Sequence, residues 1–216
     1  MWSKREKEAG FTLIEIVVIL AVIAIIAAAM VPRISGIMDD AKISRAQSEV
    51  QTVGMAILRF NANTGKWPAR DGDAADNKLT TLVSGSSSIP VPLPAYAGGD
   101  TNYYGNDATT ATGDYLDNHL KMNTPKGSAD AAYPTSGVNR WNGPYLQEVG
   151  ADPWGNAYVV NIISTYDNDT TDNLYCYVIS AGPDGTIQTD AEVKDSELAT
   201  HAIGGDDVAF LVRARK

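Results

Sequence analysis

The sequence predicts an α+β fold in which one long N-terminal helix, membrane-spanning in its first half, packs its second half on a small C-terminal antiparallel sheet. Three observations predict it: an apolar run near the start, a pattern of three- and four-residue apolar steps directly after it, and Val-, Ile- and Tyr-rich runs in the last third. The 216 residues give room for one ordinary domain. With 17 Lys plus Arg against 26 Asp plus Glu, the net charge is -9 and no basic block is present, so the chain repels phosphate backbones and nucleic acid is set aside as a partner. The one Cys excludes an internal disulfide and zinc-type Cys clusters, so an exported domain must be held by packing or by a metal bound through other ligands.

Ile16 to Val31 carry no polar side chain, and extending the run back to Phe11 adds only Thr12 and Glu15. A helix from Phe11 to Val31 reaches about 31 Å, roughly the thickness of a bilayer's hydrocarbon core. The preceding segment, Met1 to Gly10, is short and holds Lys4, Arg5 and Lys7, which reads as a cytoplasmic leader. Arg33, Lys42 and Arg45 balance those charges on the far side, so the orientation rests on the brevity of the leader. An uncleaved signal anchor and a secretory signal peptide cut after Ala27, Ala28 and Ala29 both fit the apolar run. Neither explains Glu15, a carboxylate in an apolar helix, where charge costs up to a few kcal/mol. No Lys, Arg or His occurs between Phe11 and Val31, so a charged partner is expected from another chain or a new terminus.

GFTLIE, Gly10 to Glu15, resembles the processing site of type IV pilins and type II secretion pseudopilins. The resemblance implies a prepilin peptidase that cuts after Gly10, methylation of the new amine of Phe11, and pairing of Glu15 with a neighbour's N-terminus during assembly. It also answers the puzzle of Glu15, because cleavage creates a cation at the cytoplasmic end of the helix.

Beyond Pro32, Ile34, Ile37, Ala41, Ala46, Val50, Val53, Ile57 and Phe60 recur at helical steps, while Arg33, Asp39, Asp40, Lys42, Arg45, Glu49 and Arg59 take other faces. Residues 11–64 therefore read as one long helix, 11–31 of it membrane-spanning, after a leader of residues 1–10. Pro32 removes a backbone donor and clashes with the carbonyl of Ala28, which predicts a kink or local melting, or else a boundary between two helices. Glu15 and Pro32 are the positions assigned to assembly. Asn63-Thr64-Gly65 ends the helix, with Gly65 suited to a left-handed conformation and Pro68 beyond it. Residues 65–150 form a variable region rich in Gly, Ser, Asn, Asp and Pro, with short helices expected at Ala75 to Val83 and Asp114 to Met122 and loops from Ser84 to Thr112. In residues 151–216, Ala157 to Ser164 and Leu174 to Ser180 predict a hairpin across the polar connector Thr165 to Asn173. Val208 to Val212 predicts a third strand, and Arg213, Arg215 and Lys216 a solvated tail.

DPWGNAY, Asp152 to Tyr158, follows WNGPYL, Trp141 to Leu146, and reads as a turn into a strand: Pro153 fixes φ, Gly155 and Asn156 tolerate positive φ, and Trp154 offers surface to bury. It also resembles a D-P-W-G-N-x-Y signature of the type II secretion pseudopilins, with NTGKWP, Asn63 to Pro68, as a weaker counterpart. SAGPDG, Ser180 to Gly185, and GGDDV, Gly204 to Val208, resemble the turns that enclose calcium in that family. The resemblance implies a calcium site held by Asp184, Asp206, Asp207 and the backbone carbonyl of Ala181, which suits a cation that prefers six to eight oxygen ligands. Solvated acidic turns are the competing reading, and Thr186 to Ile203, with Asp190, Glu192, Asp195 and Glu197, is longer than the family's loop. The clusters Asp71-Gly72-Asp73 with Asp76 and Asp167-Asn168-Asp169 with Asp172 fail as EF-hand loops, since Asp stands where Gly is required. Asn168-Asp169-Thr170 matches a glycosylation triplet that a polar hairpin produces by chance.

No HExxH, GxSxG or phosphate-binding glycine loop occurs, and His119 and His201 have no supporting motif. Cys176 lies between Tyr175 and Tyr177 in a predicted strand, as a small core residue would. The resemblance implies a structural subunit of a type II secretion pseudopilus: a single-pass inner-membrane protein with its N-terminus cytoplasmic and its domain periplasmic. Such a subunit assembles with copies of itself and other pseudopilins on an inner-membrane platform into a periplasmic filament, driven by an ATPase on another chain. A type IV pilin of a surface fibre for adhesion, motility or DNA uptake is the alternative. A membrane-anchored periplasmic enzyme is a lesser one, lacking a catalytic constellation and needing neither Gly10 nor Glu15.

Overall fold

The computed structural model describes residues 10–71, 79–86, 88–97, 112–162, 165, 175–189 and 203–214. They fall into two compact units, Met1–Ala41 and Lys42–Lys216. Helix α1 is Leu13–Thr64. It passes through Pro32 as one element, which overturns the helix-boundary reading of that proline. One missing donor breaks a single rung of the ladder, and the remaining backbone bonds carry the helix past it.

In the first unit, Leu13–Met30 is long and apolar enough to cross a membrane, and none of it is buried within the chain. Ile37 and Ala41 are exposed as well. In the second unit, Ala46, Val50, Val53, Ile57 and Phe60 are all buried, so the apolar stripe of α1 becomes core from Ala46 onward.

The strands are β1 (Thr81–Val83), β2 (Gly85–Ser86), β3 (Ile89–Pro90), β4 (Ala95–Tyr96), β5 (Gly113–Tyr115), β6 (Val159–Asn161), β7 (Tyr175–Ser180), β8 (Thr186–Ile187) and β9 (Val208–Ala214). Helix α2 (Leu116–Leu120) follows β5. The main sheet has the order β5-β1-β6-β7-β9, antiparallel except for the parallel pair of β1 with β5. It is thus mixed, where an antiparallel sheet was expected. The predicted hairpin is present, with Val159 opposite Ile179 and Val160 opposite Val178. The third predicted strand is β9, which extends to Ala214 and so takes Arg213 out of the expected tail. Most of the connector between β6 and β7 lies outside the described residues.

Side chains alternate across the sheet with the period of two that strands impose. Val160, Cys176 and Val178 join the core built with α1, whereas Val159, Tyr177 and Ile179 join a second cluster with Val83, Ala157 and Ile187. The sheet is therefore covered on both faces. Helix and sheet meet closely at Gly54, where an added Cβ would run into the ring of Phe210.

Two expectations in the middle region are corrected. Thr81–Val83 is strand β1 rather than the end of a helix from Ala75, because its β-branched residues pair on both sides, with β5 and β6. The rest of that predicted helix is largely outside the described residues. The helix expected from Asp114 begins at Leu116, since Gly113–Tyr115 pairs with β1 first. Within Ser84 to Thr112, read as loops, β2 pairs β3 and β4 runs parallel to β8.

Candidate functional site

The head of α1 presents Gly10 and Phe11 to solvent. Glu15 has partners there: its Oε2 accepts the backbone N–H of Thr12 at 2.8 Å and the Thr12 hydroxyl at 2.6 Å, while Glu15 N–H approaches Thr12 Oγ1 at 3.4 Å. This is a capping box, in which a Thr at the helix start and a Glu three residues on satisfy each other's orphan donors. These bonds come from neutral groups and leave the expectation of a charged partner from another chain or a new terminus as it stood. They hold the Glu15 carboxylate locally.

In the second unit, the DPWGN turn and the acidic turns form a connected structure. Asp152 is buried, and its Oδ1 accepts the N–H groups of Trp154 (3.0 Å) and Asn156 (2.8 Å), closing the turn. Its Oδ2 accepts the hydroxyl of Ser180, the last residue of β7, at 2.6 Å. Ser180 Oγ accepts the N–H of Gly182 at 3.3 Å. Gly182 sits at φ +64°, and a Cβ there would collide with the Asp206 carbonyl. The two acidic turns thus touch at a point where only glycine fits.

Across that contact, Asp206 Oδ2 accepts the N–H of Asp184 at 3.1 Å, and Asp184 accepts the Thr186 N–H and the Gln188 side-chain amide. Asp207 Oδ2 accepts the N–H groups of Gln188 and Thr189 and the Thr189 hydroxyl, at 2.6–2.9 Å. Its Oδ1 is buried and has no hydrogen-bond partner. Burial pushes the Asp207 carboxyl above the usual range, against the pull of those hydrogen bonds. The fold brings Asp184, Asp206, Asp207 and Ala181 to adjoining turns. Among the described residues, however, no three His, Cys, Asp or Glu side chains form a ready group around one point. The chemistry of the turns, carboxylates and carbonyls without sulfur or imidazole, fits a hard cation, and the orphaned Oδ1 of Asp207 is a buried acceptor such a cation would satisfy. Asp190, Glu192, Asp195 and Glu197 lie outside the described residues.

His119 belongs to a network that sequence reasoning missed. Its Nε2 lies 2.9 Å from Asp114 Oδ2 and its Nδ1 2.9 Å from the Tyr133 hydroxyl, all three side chains being buried. Asp114 also accepts the N–H groups of Tyr115 and Lys126 and the amide of Asn118. Burial raises the Asp114 pKa, but His119 and those donors more than offset it, leaving the carboxyl below its ordinary range. The guanidinium of Arg70 lies 4.6 Å over the Tyr133 ring and donates to the carbonyls of Ala131 and Ala132. Cys176 is fully buried in β7, and His201 and most of the two EF-like clusters fall outside the described residues.

A membrane-compatible apolar helix that continues into a helix-on-sheet domain is the architecture of a type IV pilin-like fold. The prokaryotic N-terminal methylation motif matches residues 5–31, and the type II secretion system protein G family matches residues 123–198. The chain is 30% identical to type II secretion system core protein G of Pseudomonas aeruginosa over 89 residues, which are 41% of this chain and 59% of that protein. It is 23% identical to core protein G of Escherichia coli over 194 residues, 90% and 94% of the two chains, and 32% identical to that of Xanthomonas campestris over 83 residues, 38% and 54%. No solved structure matches the chain. The chain thus joins an N-terminal methylation motif to a region like type II secretion system protein G, and it is similar to core protein G of Escherichia coli over nearly its whole length. That family is structural rather than enzymatic.

Proposed function

We propose that this protein is a structural subunit of a type II secretion pseudopilus. The observation that carries the reading is the protein G match over residues 123–198, which holds both DPWGN and SAGPDG, on a chain whose head carries the methylation motif. Cleavage after Gly10 frees the amine of Phe11. The apolar first half of α1 anchors the subunit in the inner membrane and then packs with its counterparts, other pseudopilins included, in a periplasmic filament on the assembly platform. Glu15 supplies the negative partner for a neighbour's new terminus, and Pro32 falls where the helix leaves the apolar span.

Calcium is part of the same proposal. Asp184, Asp206, Asp207 and the Ala181 carbonyl would hold it, and it would tie the C-terminal turns together in a chain whose one Cys cannot. The support is the orphaned Asp207 Oδ1 beside the Asp184–Asp206 contact.

Assembly is tested by Glu15→Gln. The amide preserves the capping box, where Gln is as acceptable as Glu, but removes the charge. Processing should be normal, while filaments seen by electron microscopy and secretion should both be lost. Wild-type filaments from Glu15→Gln would reduce Glu15 to a helix cap.

A further inference from the structure

We propose that Asp152 and Ser180 are positioning residues that aim the backbone carbonyl of Ala181 at the cation of the acidic turns. The inference rests on the calcium reading above and assigns a role to a turn that, by itself, is only a chain reversal. The Ala181 carbonyl and the Gly182 N–H belong to one planar peptide unit and point in opposite directions. Whatever holds the N–H therefore sets the direction of the carbonyl. The holder is Ser180 Oγ, 3.3 Å from Gly182 N. A serine hydroxyl can rotate, and alone it would be a loose support. Here it is fixed, because its proton is donated to Asp152 Oδ2 at 2.6 Å. Asp152 is fixed in turn by the Trp154 and Asn156 N–H groups on its other oxygen.

The Asp152–Ser180–Gly182 links are buried, with Ser180 and Ala181 fully enclosed and Asp152 4% exposed, so water does not compete for these bonds. The same peptide leads into Gly182, packed against the Asp206 carbonyl, so the orientation set at Ser180 is carried to the contact between the two acidic turns. A carboxylate that orients a group beside a cation, without being a ligand itself, is the arrangement by which outer residues tune metal affinity.

The test uses the full chain in detergent, titrated with calcium chloride by calorimetry, with melting in chelator and Gly182 amide exchange measured alongside. Ser180→Ala removes both links. Asp152→Asn keeps the acceptor for Trp154 and Asn156 but no longer takes the Ser180 proton, and it serves where Ser180→Ala fails to fold. Ser180→Thr restores the hydroxyl. The expected result is a calcium dissociation constant raised about tenfold to a hundredfold in the first two variants, with faster Gly182 exchange in chelator and recovery in Ser180→Thr. Wild-type calcium affinity in both variants, or a melting temperature in chelator that falls while affinity is unchanged, overturns the positioning role alone. Failure of the wild-type chain to bind calcium overturns the metal reading and this assignment with it.

Discussion

The buried network around His119 and the acidic turns around Asp207 are both polar clusters in a small domain, yet they differ in one respect that separates structure from binding. At His119 the polar groups close on themselves. Each Asp114 oxygen accepts two donors, and both ring nitrogens of His119 have partners within 2.9 Å. At Asp207 one oxygen is crowded with donors and the other, a buried atom, has none. A satisfied buried network specifies a fold; an unsatisfied acceptor leaves a cost that a ligand can relieve. Asp114, His119 and Asp207 are all buried while Asp184 and Asp206 are exposed, so among the buried groups of these two clusters completeness of pairing is what distinguishes them.

The largest effect is expected at the closed network. Asp114→Ala leaves His119 and the converging N–H groups unpaired in the interior and should destabilise by about 3–5 kcal/mol, read by thermal or denaturant unfolding of the detergent-solubilised chain. The loss should be the same with calcium or chelator. Because the Asp114 pKa is depressed in the folded state, its contribution is fully present above the ordinary carboxylate range and is lost as pH falls through the depressed value. Acid unfolding of the wild type should therefore be steeper than that of Asp114→Asn, measured between neutral pH and the low carboxylate range.

An intermediate effect is expected at the acidic turns. Calcium at 100 times its dissociation constant should stabilise by about 2.7 kcal/mol, and chelation should lower the melting temperature and open the C-terminal segment to protease. Asp184→Ala should abolish this calcium dependence. Since Asp184 is exposed, the same change in chelator should cost no more than about 0.5 kcal/mol. Equal melting in calcium and in excess chelator would show that the unpaired Asp207 oxygen is tolerated rather than used. The smallest effect belongs to Asp71→Ala, in the failed EF-like cluster, which should leave the calcium increment unchanged and shift stability by no more than about 0.5 kcal/mol.

The parts of this picture that were legible in the sequence are those written in local pattern. α1 shows in its apolar run and helical stripe, and β7 and β9 in their Val- and Tyr-rich runs. Strands β1 and β5 were not legible. Each has three residues, too few for a period of two to show, and both gain their extended form by pairing with each other. The capping box is legible in Thr-Leu-Ile-Glu, because a Thr followed three residues later by a Glu is its signature. The His119 network and the Asp152–Ser180 link lay beyond reach for another reason. His119 meets Tyr133 14 residues away, and Asp152 meets Ser180 28 residues away, so only the folded chain makes them neighbours.

If this chain is cut after Gly10 and assembled by its N-terminal helix, as we propose, the mature N-terminus shows it most directly. Mass spectrometry of the membrane-inserted, processed protein should find a chain that begins at Phe11 with a methylated amine and retains Glu15. A chain beginning at Met30, cut after Ala29 as an ordinary signal peptide would be, lacks the assembly helix and would contradict the account.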